Sequence, residues 1–194
     1  MAVSKYCKLD IMFGNAAITG KGNPTSLATE YEEFKRVFDV NVFGVFLCAK
    51  HATRVMIPAK KWSIIFTSIV ASMTYGDIPH AYVASKTAIV GFTKNLCIDL
   101  GKHGIRVNCI SPLGIATQML MNGLKIIEKE EVEEFVHEIA NLKGAISETN
   151  DVAEAVLFLG SDESKYVSGQ NLVIDGGYSL TNISLSEGFK KLHS

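Results

Sequence analysis

The sequence predicts an α/β fold with a parallel sheet. Four short apolar segments alternate along the 194-residue chain with longer segments of helical pattern, which is the order of βαβ units. The segment 63–68 is apolar over nearly its whole length, as expected for a strand that helices cover on both faces. No internal repeat or linker interrupts this pattern, so we expect one domain, 1–194.

Residue types place the individual elements approximately. Strands are expected at 9–13, 63–68, 105–110 and 172–177. Helices are expected at about 30–57, 79–102 and 150–159, the last capped by Asn150 or Asp151. The polar stretch 117–141, acidic at 128–134, predicts either a helix with a solvated face or a mobile lid over the strand ends.

Composition and charge narrow the function classes. Hydrophobic residues make up 47% of the chain, the formal net charge is -1 and the pI is about 6.5. These values do not fit a basic nucleic-acid binder or a disordered acidic segment. The sequence shows no apolar run long enough to cross a bilayer and no signal-peptide pattern. We therefore expect a cytoplasmic protein with neither nucleic acid nor membrane as a partner.

Cysteines and histidines do not indicate a metal site or a disulfide. The four cysteines have no C-x-x-C spacing and lie in apolar or strand-like contexts, so we expect buried, reduced thiols and a reducing compartment. The five histidines lack metal-ligand spacing, and no G-x-x-x-x-G-K-[ST] loop is present. Neither a metalloenzyme nor a nucleotide hydrolase is predicted.

The most informative residues are Tyr82 and Lys86. Four residues apart on one helix, they share a face, where the ammonium can favour the phenolate and bring a weak acid into use near neutral pH. Ser68 lies fourteen residues upstream, at the end of the second strand. The turns at 14–17 and 111–114 follow two other strands, and ligands bind beyond the carboxyl ends of parallel strands. We therefore expect a site at this edge of the sheet.

Five segments occur in a fixed order along the chain: 9–16, 41–44, Ser68 with Tyr82-x-x-x-Lys86, 106–112 and 166–177. Together they resemble the classical short-chain dehydrogenase/reductase family over essentially the full length of the chain. The segments 140–144 and 162–166 further resemble the plant group that includes secoisolariciresinol and xanthoxin dehydrogenases. The resemblance implies an NAD(P)-dependent oxidoreductase that interconverts a small-molecule secondary alcohol and a ketone.

The resemblance also implies the roles of four catalytic residues. Tyr82 would exchange a proton with the substrate oxygen while the cofactor exchanges the hydride. Lys86 would lower the pKa of Tyr82 and hold the nicotinamide ribose. Ser68 would hydrogen-bond the reacting oxygen, and Asn41 would hold a water that links Lys86 to solvent.

For the cofactor, the resemblance implies NAD, with NADP as the alternative. The implied contacts are Asn15, Tyr82, Lys86, Pro112, Ile115 and Thr117. Asn15 would also tie neighbouring strands together. In this family the two long helices commonly pair with a second subunit, so a homo-oligomer is expected.

The chain departs from the family pattern at its beginning. The glycine-rich turn that accepts the pyrophosphate has no counterpart, and 1–10 resembles the end of a helix before the family's fourth strand. The resemblance therefore implies a truncated catalytic half with a partial Rossmann-like, doubly wound parallel sheet. This half would retain strands four to seven of the family order 3-2-1-4-5-6-7 and lack the first three, with 9–13 as an apolar edge. Ala17 replaces a usual glycine and predicts modest strain if its φ is positive. The alternative function is a non-catalytic fragment or interaction partner of a full-length relative.

Overall fold

The computed structural model describes residues 2–21, 25–59, 62–74, 76, 78–181 and 190–191. Its centre is a parallel sheet of four strands in the order β1-β2-β3-β4. The strands are β1 (Ile11–Gly14), β2 (Trp62–Thr67), β3 (Ile105–Pro112) and β4 (Asn171–Ile174). Each overlaps a predicted strand, although β4 ends at Ile174 and not at 177, so the α/β class and the parallel sheet are confirmed.

Helices cover both faces of this sheet, which makes it doubly wound. The α-helices are α1 (Ala2–Tyr6), α2 (Tyr31–Phe38), α3 (Gly44–Met56), α4 (Ala71–Thr74), α5 (His80–Gly101), α6 (Gln118–Leu124), α7 (Lys129–Ile139) and α8 (Thr149–Gly160). Helices α3 and α5 pack on one face and α8 packs on the other. Helices α6 and α7 pack around the segment that leaves β3.

Strand β2 lies in the middle of the core. Ile64 and Phe66 pack towards α3 and α5, while Ile65 packs towards α8, and all three are fully buried. The Phe66 ring lies 5.7 Å from the ring of Phe92 on α5. Burial of each such side chain contributes about 1.5–3 kcal/mol. This two-sided burial explains why the segment is apolar without alternation.

The predicted helix 30–57 is present but contains a π-helical turn. Helix α2 runs into the π turn at Asp39–Phe43, and α3 continues directly from it. Such turns insert one residue into an α-helix and occur frequently at functional positions. Here the turn carries Asn41, which is 1% exposed.

By length and composition the helical stretch Tyr31–Ala59 could cross a membrane, although the sequence led us to expect no such segment. Its mean hydropathy reaches 1.2, and 28% of the apolar window is buried inside the structure. Core helices of other proteins pass the same test. In α3, the buried residues Val45, Ala49 and Met56 belong to the core that packs against the sheet.

The polar stretch 117–141 forms the two helices α6 and α7. They are joined through Lys125, which has a left-handed backbone conformation (φ 59). Val132 and Val136 of α7 are buried near Leu113, whereas most acidic residues of α7 are exposed. The predicted solvated face is therefore confirmed, and motion of this region as a lid stays a prediction.

Two local expectations about the backbone were not met. The residue before α8 is Glu148 and not Asp151. The Asp151 carboxylate accepts a hydrogen bond from the N–H of Glu148 (2.8 Å). Ala17 does not have the positive φ that would strain it, because among the described residues positive φ outside glycine occurs only at Cys7 and Lys125.

The cysteines differ from the expectation of buried thiols. All four are free, as expected, but Cys109 is the one that is buried. Cys7 and Cys48 are exposed, and Cys97 is half-buried. The prediction failed because Cys48 faces outward from α3, while Cys109 lies on the fully covered strand β3.

Strand β1 forms one edge of the sheet in the described part of the chain, with β2 as its neighbour. Ile11 and Phe13 on this strand are 45% and 41% exposed. The predicted apolar edge is therefore confirmed. Unpaired backbone groups beside exposed apolar side chains form a template for pairing with another strand.

We predict that Phe13→Glu slows self-association, because a charge on the edge opposes strand pairing. Light scattering of the purified chain during mild heating measures the effect, and we expect the onset time to lengthen several-fold. Leu27→Glu is the matched control, since Leu27 is fully exposed away from the sheet. Equal delay in both variants would show that added charge, not the edge, is responsible.

Candidate active site

Helix α5 carries Tyr82 and Lys86 on one buried face. The helix begins directly after Pro79, whose carbonyl accepts hydrogen bonds from the N–H groups of Tyr82 (3.0 Å) and Val83 (3.1 Å). Tyr82 is 7% exposed and Lys86 is 3% exposed. The Lys86 Nζ lies 5.7 Å from the centroid of the Tyr82 ring, so the four-residue spacing brings the pair together as predicted.

Two hydrogen bonds join Lys86 to the end of β2. The Lys86 Nζ donates to the main-chain oxygen of Thr67 (2.7 Å), and the Ser68 hydroxyl donates to the main-chain oxygen of Lys86 (2.8 Å). We expected the Ser68 hydroxyl to donate to the reacting oxygen of a substrate. In the structure the hydroxyl donates to Lys86, and its role towards a substrate oxygen stays a prediction.

Asn41 connects the loop after β1 to α5. Its Oδ1 accepts from the N–H of Ile18 (2.9 Å), and its Nδ2 donates to the carbonyl of Ile18 (2.9 Å) and to the Ser85 hydroxyl (3.0 Å). The Ser85 hydroxyl donates in turn to the carbonyl of Tyr82 (2.7 Å). Both groups of the Asn41 amide thus hold structure together, and its implied role in holding a water stays a prediction.

Asn15 lies at the same edge of the sheet, just after β1. Its Oδ1 accepts a hydrogen bond from the Thr67 hydroxyl (2.8 Å). This bond is the tie between neighbouring strands that the resemblance implied. It also connects Asn15 to Lys86 through one residue, because Lys86 bonds the carbonyl of Thr67.

The other three predicted cofactor residues follow β3. Pro112 ends the strand, and its carbonyl accepts from the N–H of Val70 (3.1 Å), which joins the turns after β2 and β3. Ile115 and Thr117 lie in the next turn, with Thr117 immediately before α6. Among the described residues, no hydrogen bond joins this turn to Tyr82.

Burial shifts the acidities of the central pair in opposite directions. It raises the pKa of Tyr82 to about 12 and lowers the pKa of Lys86 to about 8, because an apolar surrounding favours the neutral form of each group. We expected Lys86 to lower the pKa of Tyr82, but in this structure burial dominates. At pH 7 Tyr82 is therefore protonated, and Lys86 is mostly charged.

Two residues of the site were not predicted. Thr67 supplies the carbonyl that accepts from Lys86, and Ser85 supplies the hydroxyl that accepts from Asn41. Each is a hydroxyl residue directly beside a predicted site residue in the sequence. That adjacency is the signal that could have identified them.

A groove at the start of α5 is a separate surface. It has a volume of about 510 Å³ and is lined by residues that include Ile78, His80, Val83 and Thr87. His80, the first residue of α5, is exposed there. Neither Tyr82 nor Lys86 lines this groove, so it does not mark the site.

The buried ammonium predicts a pH dependence of stability. In the unfolded chain Lys86 keeps its proton up to about pH 10.4, whereas in the folded chain it loses the proton near pH 8. Stability therefore rises between these values, and we expect Lys86 to add about 2 kcal/mol to the free energy of unfolding from pH 8 to pH 10. Urea unfolding of the wild type and of Lys86→Met across this range measures the difference. Lys165→Met, at an exposed lysine, should keep the wild-type rise; the same rise in Lys86→Met would contradict the prediction.

Comparison with known proteins gives independent information. Residues 1–179 match a family model described as enoyl-(acyl carrier protein) reductase. The chain is 53% identical to short chain aldehyde dehydrogenase 1 of Euphorbia lathyris, covering 98% of this chain and 68% of the relative. It is 51% identical to secoisolariciresinol dehydrogenase of Forsythia intermedia (93% and 65%) and 46% identical to xanthoxin dehydrogenase of Arabidopsis thaliana (94% and 66%). The chain thus spans about two thirds of the length of these curated relatives.

Solved structures agree with these relatives. Levodione reductase superposes with a TM-score of 0.83 at 33% identity, covering 93% of this chain and 70% of that one. A 3-ketoacyl-(acyl-carrier-protein) reductase from Brucella melitensis, complexed with NADH, superposes with a TM-score of 0.78 at 28% identity (92% and 70%). Because the family model matches most of the chain and relatives share about half of its residues, the chain belongs to the short-chain dehydrogenase/reductase family of oxidoreductases.

Proposed function

We propose that this chain is the catalytic part of an NAD(P)-dependent oxidoreductase that interconverts a secondary alcohol and a ketone. The observation that carries the proposal is the joint burial of Tyr82 and Lys86 on one face of α5, at the carboxyl edge of a parallel sheet. Tyr82 is the general acid and base. Pairs of buried ionisable groups with shifted pKa values are a typical feature of functional sites.

At neutral pH Tyr82 carries the proton that it would donate in the reduction of a ketone. Its raised pKa keeps the phenol protonated at neutral pH, so it can donate a proton to the substrate oxygen as that oxygen gains charge. The charged Lys86, 5.7 Å from the Tyr82 ring, stabilises the phenolate that remains. In the oxidation direction the same phenolate accepts the proton.

A nicotinamide cofactor would supply the hydride. The Lys86 ammonium has three donors and uses one on Thr67, which leaves two for ribose hydroxyls. Asn15 and the turn that holds Pro112, Ile115 and Thr117 would contact the nicotinamide end. The described residues therefore fit the nicotinamide half of the cofactor, but they contain no glycine-rich turn between a strand and a helix for its pyrophosphate.

We propose NAD over NADP, supported by the resemblance to the plant group and by the solved relative complexed with NADH. The substrate would be a small-molecule alcohol or ketone with an apolar skeleton, because apolar residues such as Leu113, Leu120 and Met121 cluster after β3.

Nucleic acid is not a proposed partner, given the net charge of -1. A cytoplasmic location is proposed from the four free thiols. The alternative, a non-catalytic interaction partner, has no support in the names of the five relatives described above, which are those of dehydrogenases and reductases.

We predict that Tyr82→Phe lowers turnover at least about 100-fold in both directions, because the proton donor and acceptor is lost. The assay follows nicotinamide absorbance with a panel of secondary alcohols and ketones. With the Tyr82 pKa at about 12 and the Lys86 pKa at about 8, wild-type oxidation should quicken as the pH rises to about 8, because the phenolate fraction grows while Lys86 still carries its charge.

Two controls make this test decisive. Tyr166→Phe, at a fully exposed tyrosine, should keep wild-type turnover. Calorimetric titration with NADH and NADPH establishes first whether the chain binds either cofactor. Wild-type turnover in Tyr82→Phe would refute the assignment of Tyr82, and a folded chain that neither binds cofactor nor turns over substrate would refute the proposed activity of this chain.

We also propose that a second copy of the chain covers the long helical stretch. Val40, Phe43 and Leu47 are 38%, 60% and 47% exposed, and their spacing of three and four residues forms one stripe. Ile98 on α5 is 79% exposed. Contiguous exposed apolar residues of this kind are typical of protein–protein interfaces.

Leu47→Glu is expected to convert an oligomer into a monomer, because it places a charge in the centre of the stripe. Multi-angle light scattering after gel filtration measures the mass. Leu157→Glu, at an exposed position on α8, should leave the mass unchanged. A monomeric wild-type chain, or an oligomer that survives Leu47→Glu, would contradict this proposal.

A further inference from the structure

Ser68 lies where its side chain faces the interior. It is the first residue after β2 and is 2% exposed. Its N–H donates to the carbonyl of Ile110 on β3 (2.8 Å), so the main chain is still held by the neighbouring strand. Its hydroxyl donates to the main-chain oxygen of Lys86 (2.8 Å). The main-chain N–H and the hydroxyl of this residue therefore both donate inside the protein.

The contacts between Lys86 and the end of β2 are reciprocal. The side chain of Lys86 bonds the main chain of Thr67, and the side chain of Ser68 bonds the main chain of Lys86. One bond fixes the ammonium, and the other fixes the backbone from which the long side chain extends. A lysine side chain can adopt many rotamers when it is free. By fixing the main chain of Lys86, the second bond restricts where the ammonium can lie.

A substrate carbonyl or alkoxide oxygen needs a hydrogen-bond donor. A serine hydroxyl has one proton, and that of Ser68 is already donated to Lys86. Rotation of the hydroxyl would break this bond, and a residue with 2% exposure offers little surface for a substrate to contact. The geometry therefore does not suit direct contact between Ser68 and the reacting oxygen.

The next residue, Ile69, lies in a different environment. It is half-buried and packs in the cluster that contains Leu113, Leu120 and Met121. This cluster is formed by the segments that follow β2 and β3, beyond the carboxyl end of the sheet. The turn after β2 thus directs a hydroxyl inward to Lys86 and contributes an apolar side chain to the region above the strand ends.

We propose that Ser68 is a positioning residue that acts on the reaction through Lys86, and that Ile69 makes the substrate side of the same turn apolar. The second part rests on the proposed function and deepens it. The substrates assigned to the site are alcohols and ketones whose reacting carbon is flanked by hydrocarbon, because the Ile69 side chain beside that carbon offers no hydrogen bond.

The first experiment tests the positioning role without cofactor or substrate. In protein labelled with ¹⁵N-lysine, the ammonium signal of Lys86 is assigned by its loss in Lys86→Met, and the hydrogen exchange rate of that signal is measured near pH 6. Ser68→Ala should raise this rate at least about tenfold, because the backbone under the ammonium is no longer held. Ser68→Cys, which keeps a weak donor, should give a smaller rise and serves if the alanine variant fails to fold.

Ser72→Ala is the matched control for this experiment. Ser72 is another buried serine near the same turn, and its hydroxyl has no hydrogen-bond partner among the described residues. Its removal should leave the Lys86 signal unchanged. Equal exchange rates for Lys86 in wild type, Ser68→Ala and Ser68→Cys would overturn the positioning role.

The second experiment separates action through Lys86 from direct contact with the substrate. If Ser68 positions Lys86, Ser68→Ala should weaken the Kd for NADH about five-fold or more. A serine that touches the reacting oxygen would leave that Kd unchanged and lower kcat about 100-fold, which would overturn the proposal.

Ile69→Ser should raise KM several-fold for ketones flanked by hydrocarbon, with little change in the NADH Kd. An unchanged KM would overturn the role proposed for Ile69. If the wild-type chain binds no cofactor, the proposed function fails, while the exchange rates still decide the role of Ser68.

Discussion

The rest of the structure depends on the attachment of helix α5 to the carboxyl edge of the sheet. Lys86 is central to this attachment, because its buried ammonium bonds the end of β2 and its main chain accepts a bond from Ser68. An ammonium in an apolar surrounding costs several kcal/mol unless it is paired or hydrogen-bonded. A second attachment runs from Ser85 through Asn41 to the loop after β1. The positions of β1, β2 and the π turn are therefore coupled to one helix.

The same burial sets the chemistry available to the site. By excluding water, it makes the Tyr82 phenol a weaker acid and the Lys86 ammonium a stronger one. At neutral pH the pair is therefore a protonated phenol beside a positive charge, and in the proposed reduction this phenol would donate its proton to the carbonyl oxygen. The reverse reaction needs the phenolate, which the neighbouring ammonium helps to stabilise when it forms.

In the described part of the chain, two of the exposed apolar surfaces adjoin the elements that build the site. One is the β1 edge with Ile11 and Phe13, and the other is the stripe of Val40, Phe43 and Leu47. Exposed apolar surfaces of this kind are typical of places where one protein surface packs against another.

The sequence by itself determined the class of fold, the strand positions and the pairing of Tyr82 with Lys86, because period and spacing are local properties of the chain. Only the tertiary structure decided what each polar side chain bonds. It directs the Ser68 hydroxyl to Lys86 and the Asn41 amide to Ile18 and Ser85, and it places a π turn at 39–43. It also reverses the expected sign of the Tyr82 pKa shift. These outcomes depend on which segments meet across the core and on how completely they exclude water, and spacing along one helix carries no information about either.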